Sequence, residues 1–578
     1  MNAPPPGVGI GRNPVNYGDR DFSLFLRKAM IKGSGYGEGA LARPVVGIVN
    51  TGSGFNPCHG NAPALIEAVK RGVMLAGALP VDFPTISLHE SFAHPTAMYL
   101  RNLMAMDTEE MVRAQPMDAV VLIGGCDKTV PAQLMGAASA GIPAIQLVTG
   151  PMLAGSHRGQ IVGACTDCRR YWAKHRAGGL EPGEISEVNS RLVPGVGTCS
   201  VMGTASTMAC VAEALGMMPL GGASAPAVSA DRIRIAERTG ELAVGLIRRG
   251  LVPARILTPA AFENALRVLL AIGGSTNALI HLAAIAGRVG LELDLDAFDR
   301  MSRRTPVLVD LKPSGGHYME DFHRAGGMPV LLRQLKAQLD LGTMTVTGRT
   351  LGRELAAAPA PFPQDVVRPR RRPIYREGGI AVLRGNLAPR GALIKQSAAT
   401  PRLMEHEGRA VVFANSGDLA RRIDDPRLRV GPGDVLVLQG IGPVGAPGMP
   451  EAGMIPIPRK LARKGVTDMV RISDGRMSGT AAGTIVLHVT PESAVGGPLG
   501  LVRTGDRIRL SVKARTLELK VDAAELARRS ARLRPAALAA GSRGYARLFR
   551  QTVTQADQGC DFDFMRAPKL RGRVPRRT

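Results

Sequence analysis

The stretch "AVVLIGGCDKTVPAQLMGAASAGIPAIQLVTG", residues 119–150, decides the fold. Residues 119–123 are apolar and mostly β-branched, as in a buried strand. Gly124 and Gly125 stop the run, residues 131–141 read as a helix, and 143–150 are apolar again. Strand, helix and strand in this span form a βαβ unit, which implies a parallel sheet covered by helices. Cys126, Asp127 and Lys128 follow the first strand without a spacer. A thiol, a carboxylate and an amine thus stand together where a core strand stops, and that placement asks for a chemical reason.

Outward from this unit, "PVVGIVN" (44–50) is a short apolar strand and "PALIEAVKRGVMLAG" (63–77) has helical periodicity. A stronger helix starts at "LTPAAFENALRVLLAI", with Thr258 as N-cap and Pro259 in the first helical position. Residues 1–365 are expected to form an α/β domain. At 356–373 the composition turns Ala/Pro-rich and then Arg-rich, which reads as a linker. Beyond it, "RAVVFAN" (409–415) and "DVLVLQG" (434–440) are apolar strands, and "RIRLSV" (507–512) and "TLELKV" (516–521) alternate as hairpin strands do. Residues 375–578 are therefore expected to be β-rich, a barrel or a sandwich.

A chain of 578 residues exceeds one ordinary core, and 45% hydrophobic content with 70 Gly and 42 Pro is globular and loop-rich. The formal charge of +25 admits nucleic acid, anionic membranes or anionic small substrates. The basic runs "RPRRRP" (368–373) and "RGRVPRRT" (571–578) read as solvated linker and tail, because no nucleic-acid-binding fingerprint accompanies them. No apolar run approaches 18 residues, so no membrane span is expected. "MNAPPPGVGIGRN" lacks the basic-then-apolar order of a secretory signal, and an odd count of seven cysteines favours a reducing, cytoplasmic compartment.

Cys165 and Cys168 form the one close cysteine pair, half of a zinc site or a redox pair. No second pair follows at finger spacing, and a chance pair in a surface segment is the favoured reading. Cys210 reads as core, and Cys560 stays open. Cys58, Cys126 and Cys199 each sit in loop sequence before a plausible helix start. Helix N-termini bias thiols towards thiolate, and thiolates bind soft metals and iron–sulfur clusters. Spacing alone leaves both a shared cluster and three unrelated cysteines open.

"NPCHGN", "GGCDKTVPA", "MGTASTM", "AIGGSTNA", "GAPGMPEAG" and "SDGRMSGTAAG" together resemble the signature blocks of the dihydroxy-acid and sugar-acid dehydratases. The resemblance runs from about residue 40 to about residue 565. "FPTISLHESFAHPTAMYLRNLMAMD" and "VTQADQGCDFDF" resemble the aldonate (pentonate) subgroup. The resemblance implies an α/β domain holding an iron–sulfur cluster and a β-barrel-like domain covering the site. By it, Cys58, Cys126 and Cys199 are the cluster ligands. The cluster is [2Fe–2S], as is usual in the subgroup, or [4Fe–4S], as in some relatives. Glu90, Asp127 and Glu451 resemble Mg²⁺ ligands, and Lys128 matches a lysine that is carbamylated in the family and so becomes a further oxygen ligand. Ser478 matches the catalytic serine and Thr480 a supporting hydroxyl.

The implied reaction removes water from a 2,3-dihydroxy sugar acid, such as L-arabinonate or D-xylonate, and yields a 2-keto-3-deoxy acid. Its partner is thus a small anionic sugar acid, with no nucleic acid or membrane, in a homodimer or homotetramer. Rival readings are the branched-chain dihydroxy-acid dehydratase, a basic nucleic-acid-binding protein on an inactive dehydratase fold, and a zinc protein using Cys165 and Cys168. "GGSTNA" (273–278) lacks the Lys and spacing of a phosphate loop and reads as a helix start near the substrate. His59 and His89 flank the ligand positions, either supporting them or simply packed or solvated. Two departures stand out. Gly52–Ser53 replaces the Trp–Ser common in relatives, and His89 stands where small residues are usual in the subgroup.

Overall fold

The computed structural model describes residues 8–533, 543–568 and 572–576. The apolar run at 44–50 forms β1 (Val45–Asn50), followed by helix α1 (Ala62–Leu75) and β2 (Leu79–Pro84). Helix α2 (Ala97–Ala114) leads to β3 (Ala119–Gly124), and α3 (Thr129–Ala140) leads to β4 (Ala144–Val148). The strands lie in the order β2-β1-β3-β4, and every neighbouring pair is parallel. All of β3 is buried, because helices cover both faces of the sheet. The chain winds outward from β1 in one direction and from β3 in the other. Their carboxyl ends therefore flank the point where strand order reverses, and crevices for ligands open at such points.

Helix α4 (Thr166–Arg176) follows, then α5 (Thr204–Ala214), α6 (Ala230–Arg249), α7 (Pro259–Ala271) and α8 (Asn277–Arg288). The Thr258 side chain accepts a hydrogen bond from the N–H of Ala261, as the capping signal predicts. Helix α1 packs on α6 through Gly72 and Gly240. A Cβ on either would strike the backbone of the other helix.

The carboxyl-terminal strands are β5 (Ala381–Gly385), β6 (Ala388–Ile394), β7 (Glu405–Phe413), β8 (Val435–Leu438), β9 (Arg471–Ser473), β10 (Ile485–Thr490), β11 (Arg507–Ser511) and β12 (Thr516–Lys520). They close into one barrel in the order β7-β8-β9-β10-β6-β5-β12-β11. β11 and β12 pair antiparallel as the alternation at 507–521 predicts. Closure leaves no free edge, and the inward residues of these strands make a second core around Val437, Ile472 and Ile508.

Two expectations from composition need correction. The stretch at 356–373 is no free linker. The N–H of Asp310 bonds the carbonyl of Val366, the N–H of Arg368 bonds that of Leu308, and Val366 and Val367 are buried. Arg370, Arg371 and Arg372 are exposed. Within the basic tail, Gly572–Val574 pairs in parallel with Leu291–Leu293, and Val574 is buried. Residues 571, 577 and 578 of that run lie outside the described residues, as do residues 1–7 of the opening stretch. No helix among the described residues is long and apolar enough to cross a membrane.

Candidate active site

The carboxyl end of β1 runs into the loop that carries Cys58 and His59, and the carboxyl end of β3 runs straight into Cys126, Asp127 and Lys128. Beyond β4, Pro151 bridges in parallel to Thr198, which brings Cys199 to the same edge of the sheet. Gly125 is needed for this convergence, because a Cβ there would collide with the Thr149 hydroxyl and lie 3.0 Å from the methyl group of Thr198. Three segments far apart in sequence thus meet because parallel strands all deliver their carboxyl ends to one side.

Cys58 Sγ, Cys126 Sγ and a ring nitrogen of His89 lie within 4.8 Å of one another. The thiols of Cys58 and Cys126 hydrogen-bond, which lowers the Cys58 pKa and raises that of Cys126. Cys199 falls outside this tight group, yet the charges of Cys58 and Asp127 bear on its thiol. Its Sγ lies 3.6 Å from that of Cys165, at the start of α4. Cys165 thus faces Cys199 as well as Cys168, a proximity that the reading of a chance surface pair did not anticipate. The backbone N–H of Ser200 bonds the carbonyl of Ala164, and this pairing lays the two cysteine segments side by side.

His59 is fully buried, and burial pushes its pKa down to about 4. Its neutral ring donates from Nδ1 to the Thr51 carbonyl at 2.9 Å. Its Nε2 accepts the backbone N–H groups of Gly125 at 2.9 Å and Cys126 at 3.0 Å. His59 therefore fixes the Cys126 loop, whereas His89 joins the sulfur group. Near the missing Trp, Gly52 is exposed, and the exposed rings of Phe55 and Phe92 pack at 6.3 Å.

A second donor set adjoins the first through the Cys126–Asp127 peptide. Carboxylate oxygens of Glu90, Asp127 and Glu451 lie within 4.8 Å of one another. Lys128 is fully buried, with its Nζ 2.5 Å from Asp127 Oδ2 and 3.4 Å from Glu90 Oε2. Arg476, also fully buried, donates to Glu451 Oε1 at 2.6 Å and to Glu90 Oε1 at 2.9 Å. Burial opposes ionisation of Glu90, but Arg476 and Lys128 outweigh it and hold the pKa at about 2. Burial raises the pKa of Glu451, which shares Arg476 with Glu90. Glu90 Oε2 is buried and accepts no hydrogen bond. A carboxylate oxygen with no hydrogen bond, only the Lys128 ammonium at 3.4 Å, and two other carboxylates close by suits a hard divalent cation. Paired thiols beside an imidazole suit a soft metal. The hard set consists of the three carboxylates expected from the sequence, whereas the soft set holds two of the three expected cysteines, with His89 in the place of Cys199.

The loop carrying Ser478 is pinned from several sides. Asn277, at the start of α8, donates to the carbonyl of Met477 at 3.0 Å. The Thr166 hydroxyl donates to that of Thr480 at 2.9 Å, and Lys395 Nζ to that of Gly479 at 3.1 Å. A Cβ on Gly479 would lie 2.6 Å from Ser275 Cβ, so a side chain there would lift the loop away. "GGSTNA" is indeed a helix start, and it abuts this loop. Ser478 Oγ and Thr480 Oγ1 are 2.9 Å apart, and the Thr480 N–H points to Ser478 Oγ at 3.4 Å. Arg169 Nε donates to Thr480 Oγ1 at 3.3 Å, and its Nη2 lies 4.0 Å from Glu451 Oε2. The loop and the carboxylates are thus linked through Arg169, and through Arg476 two residues before the serine.

Reading the sequence missed Arg169, Arg476 and Lys395. Arg476 was visible inside the block "SDGRMSG". Lys395 was visible as one lysine ending the apolar run "GALI" of β6. Arg169 carried no separate signal, because only folding brings α4 to the loop, and the close pair Cys165–Cys168 gave no hint that Cys165 faces Cys199.

Lys395 is fully buried, and burial alone pushes its pKa down to about 7. The unfolded chain keeps this proton up to pH ~10.4. Between pH 7 and that value the unfolded state binds more protons than the folded one, so stability rises with pH. Wild type is expected to gain on the order of 4 kcal/mol across this window relative to Lys395→Met. Thermal midpoints of both proteins from pH 6 to ~10 check this. A constant difference between them would contradict a deprotonating buried amine.

Residues 43–354 match the family domain described as Dihydroxy-acid/6-phosphogluconate dehydratase N-terminal, and residues 365–560 match the corresponding C-terminal domain. The chain is 48% identical over 564 residues to the L-arabonate dehydratase of Azospirillum brasilense, covering 95% of this chain and 96% of that one. It is 46% identical to the 6-deoxy-6-sulfo-D-gluconate dehydratase of Pseudomonas putida, with 92% of each covered. It is 39% identical to a dihydroxy-acid dehydratase of Methanothrix thermoacetophila, covering 92% of this chain and 96% of that one.

Proposed function

Because the chain belongs to the dihydroxy-acid/6-phosphogluconate dehydratase family, we propose that it removes water from a 2,3-dihydroxy sugar acid, a pentonate such as L-arabinonate or D-xylonate. The observation that carries this reading is the adjacency of two donor sets, one soft and one hard, joined at Cys126 and Asp127. Cys58, Cys126 and Cys199 would hold the iron–sulfur cluster. Glu90, Asp127, Glu451 and a carbamylated Lys128 would hold Mg²⁺. When bound, the cluster supplies an open Lewis acid for the departing C3 hydroxyl, and Mg²⁺ steadies the negative charge that develops beside the carboxylate.

The chain's own residues supply the rest. Unmodified Lys128 and Arg476 offset two of the three carboxylates. Carbamylation turns one of these cations into an anion, which suits a divalent ion. Ser478 Oγ takes the C2 proton. A serine hydroxyl is a weak acid, so its anion needs nearby donors. The Thr480 hydroxyl and N–H provide two, and Arg169 polarises the first. The C2–H electron pair becomes the C2=C3 bond as hydroxide leaves C3. The enol then tautomerises to the 2-keto-3-deoxy acid.

A substrate panel tests the substrate class. L-Arabinonate, D-xylonate, 6-deoxy-6-sulfo-D-gluconate and 2,3-dihydroxyisovalerate are compared by keto-acid formation. A pentonate is expected to lead 2,3-dihydroxyisovalerate by about 100-fold in kcat/KM, roughly the discrimination one pocket contact supplies. Preference for 2,3-dihydroxyisovalerate would replace this reading with the branched-chain one.

A further inference from the structure

Cys165 and Cys168 have no part in the proposed reaction, yet Cys165 Sγ lies 3.6 Å from Cys199 Sγ. The approach is built into the backbone. The N–H of Ser200 bonds the carbonyl of Ala164 at 3.1 Å, so the residues on either side of that bond are held together. All three thiols are free and partly exposed. Cys168 lies near one helical turn beyond Cys165, and its thiol also hydrogen-bonds Cys165. A sulfur pair already in contact on hydrogen-bonded backbones needs little movement to reach disulfide geometry.

We propose that Cys165 and Cys199 form a redox pair, joined by a disulfide when the chain is cluster-free and oxidised. The oxidant is a small disulfide such as oxidised glutathione. The Cys165 thiolate attacks one of its sulfurs and expels one glutathione thiolate. The Cys199 thiolate then attacks Cys165 Sγ and expels the second. Two protein thiols lose two electrons and two protons, and one oxidised glutathione becomes two reduced molecules. Cys168 competes for the same sulfur. Its attack on Cys165 Sγ expels Cys199 as thiolate and moves the bond within α4. The consequence rests on the cluster reading: while the first disulfide lasts, Cys199 would not be free to hold a cluster, and the exchange would free it.

The test uses full-length protein stripped of metal with chelator and reductant, then exposed to oxidised glutathione and mapped by peptide mass spectrometry. Trypsin leaves Cys165 with Cys168 and Cys199 with Cys210, so Cys168→Ser is the informative variant and fragment ions distinguish Cys199 from Cys210. That variant is expected to yield a Cys165–Cys199 linked peptide with loss of both alkylatable thiols. Cys165→Ser is expected to leave Cys199 alkylatable. Glutathione adducts without the link, or Cys199 joined to Cys58 or Cys126 instead, would overturn the proposal. The readout needs no iron. A chain that forms the link yet takes up no iron after reduction would sink the cluster reading and leave this one standing.

Discussion

Ser478→Ala is expected to lower kcat by about 10³-fold, the middle of the range for removing a positioned general base. That corresponds to about 4 kcal/mol of transition-state stabilisation. KM and metal content are expected to stay near wild type. The loop is held by Asn277, Lys395 and Thr166 through backbone carbonyls, none of which alanine removes. Alanine removes only the contacts of the Ser478 hydroxyl with Thr480, at 2.9 Å and 3.4 Å, both inside the pinned loop. Single-turnover kinetics with iron and magnesium analysis separate the two effects. Activity within about tenfold of wild type, with metals in place, would move the base elsewhere.

Cys126→Ser is expected to abolish both the visible absorption and turnover. The hydroxyl is close in size but is a hard and weakly acidic donor, so it replaces a thiolate poorly at iron. The fold is expected to survive, because His59 accepts the backbone N–H of residue 126 rather than its side chain. Circular dichroism unchanged from wild type, with iron and sulfide at background, is the expected pair of results. Iron retained at the wild-type ratio would remove Cys126 from the ligand set.

The parallel sheet was legible at once, since the run from Val120 to Ile123 with glycines behind it has few other uses. The barrel was half legible. Alternation at 507–521 named the hairpin of β11 and β12, but period two alone leaves barrel and sandwich open, and closure depends on β7 meeting β11. Composition misled at 366–368 and 572–574. Pro- and Arg-rich stretches read as solvated, yet their backbones found partners on strands and loops of the first core.

Of the site, the sequence by itself determined the donor types and the order in which strands hand them over. Cys126, Asp127 and Lys128 follow a buried strand, and the ligand roles expected of them came from the family resemblance, because spacing alone left unrelated cysteines and a surface ion pair equally open. Only the tertiary structure decided what faces what. It gave His59 to the backbone and His89 to the sulfurs, set Arg476 between Glu90 and Glu451, and laid Cys165 against Cys199. The physical reason is that short-range preferences act along the chain, whereas buried charges and sulfurs find partners through space. A guanidinium 386 residues from its carboxylate leaves no pattern in the spacing of either.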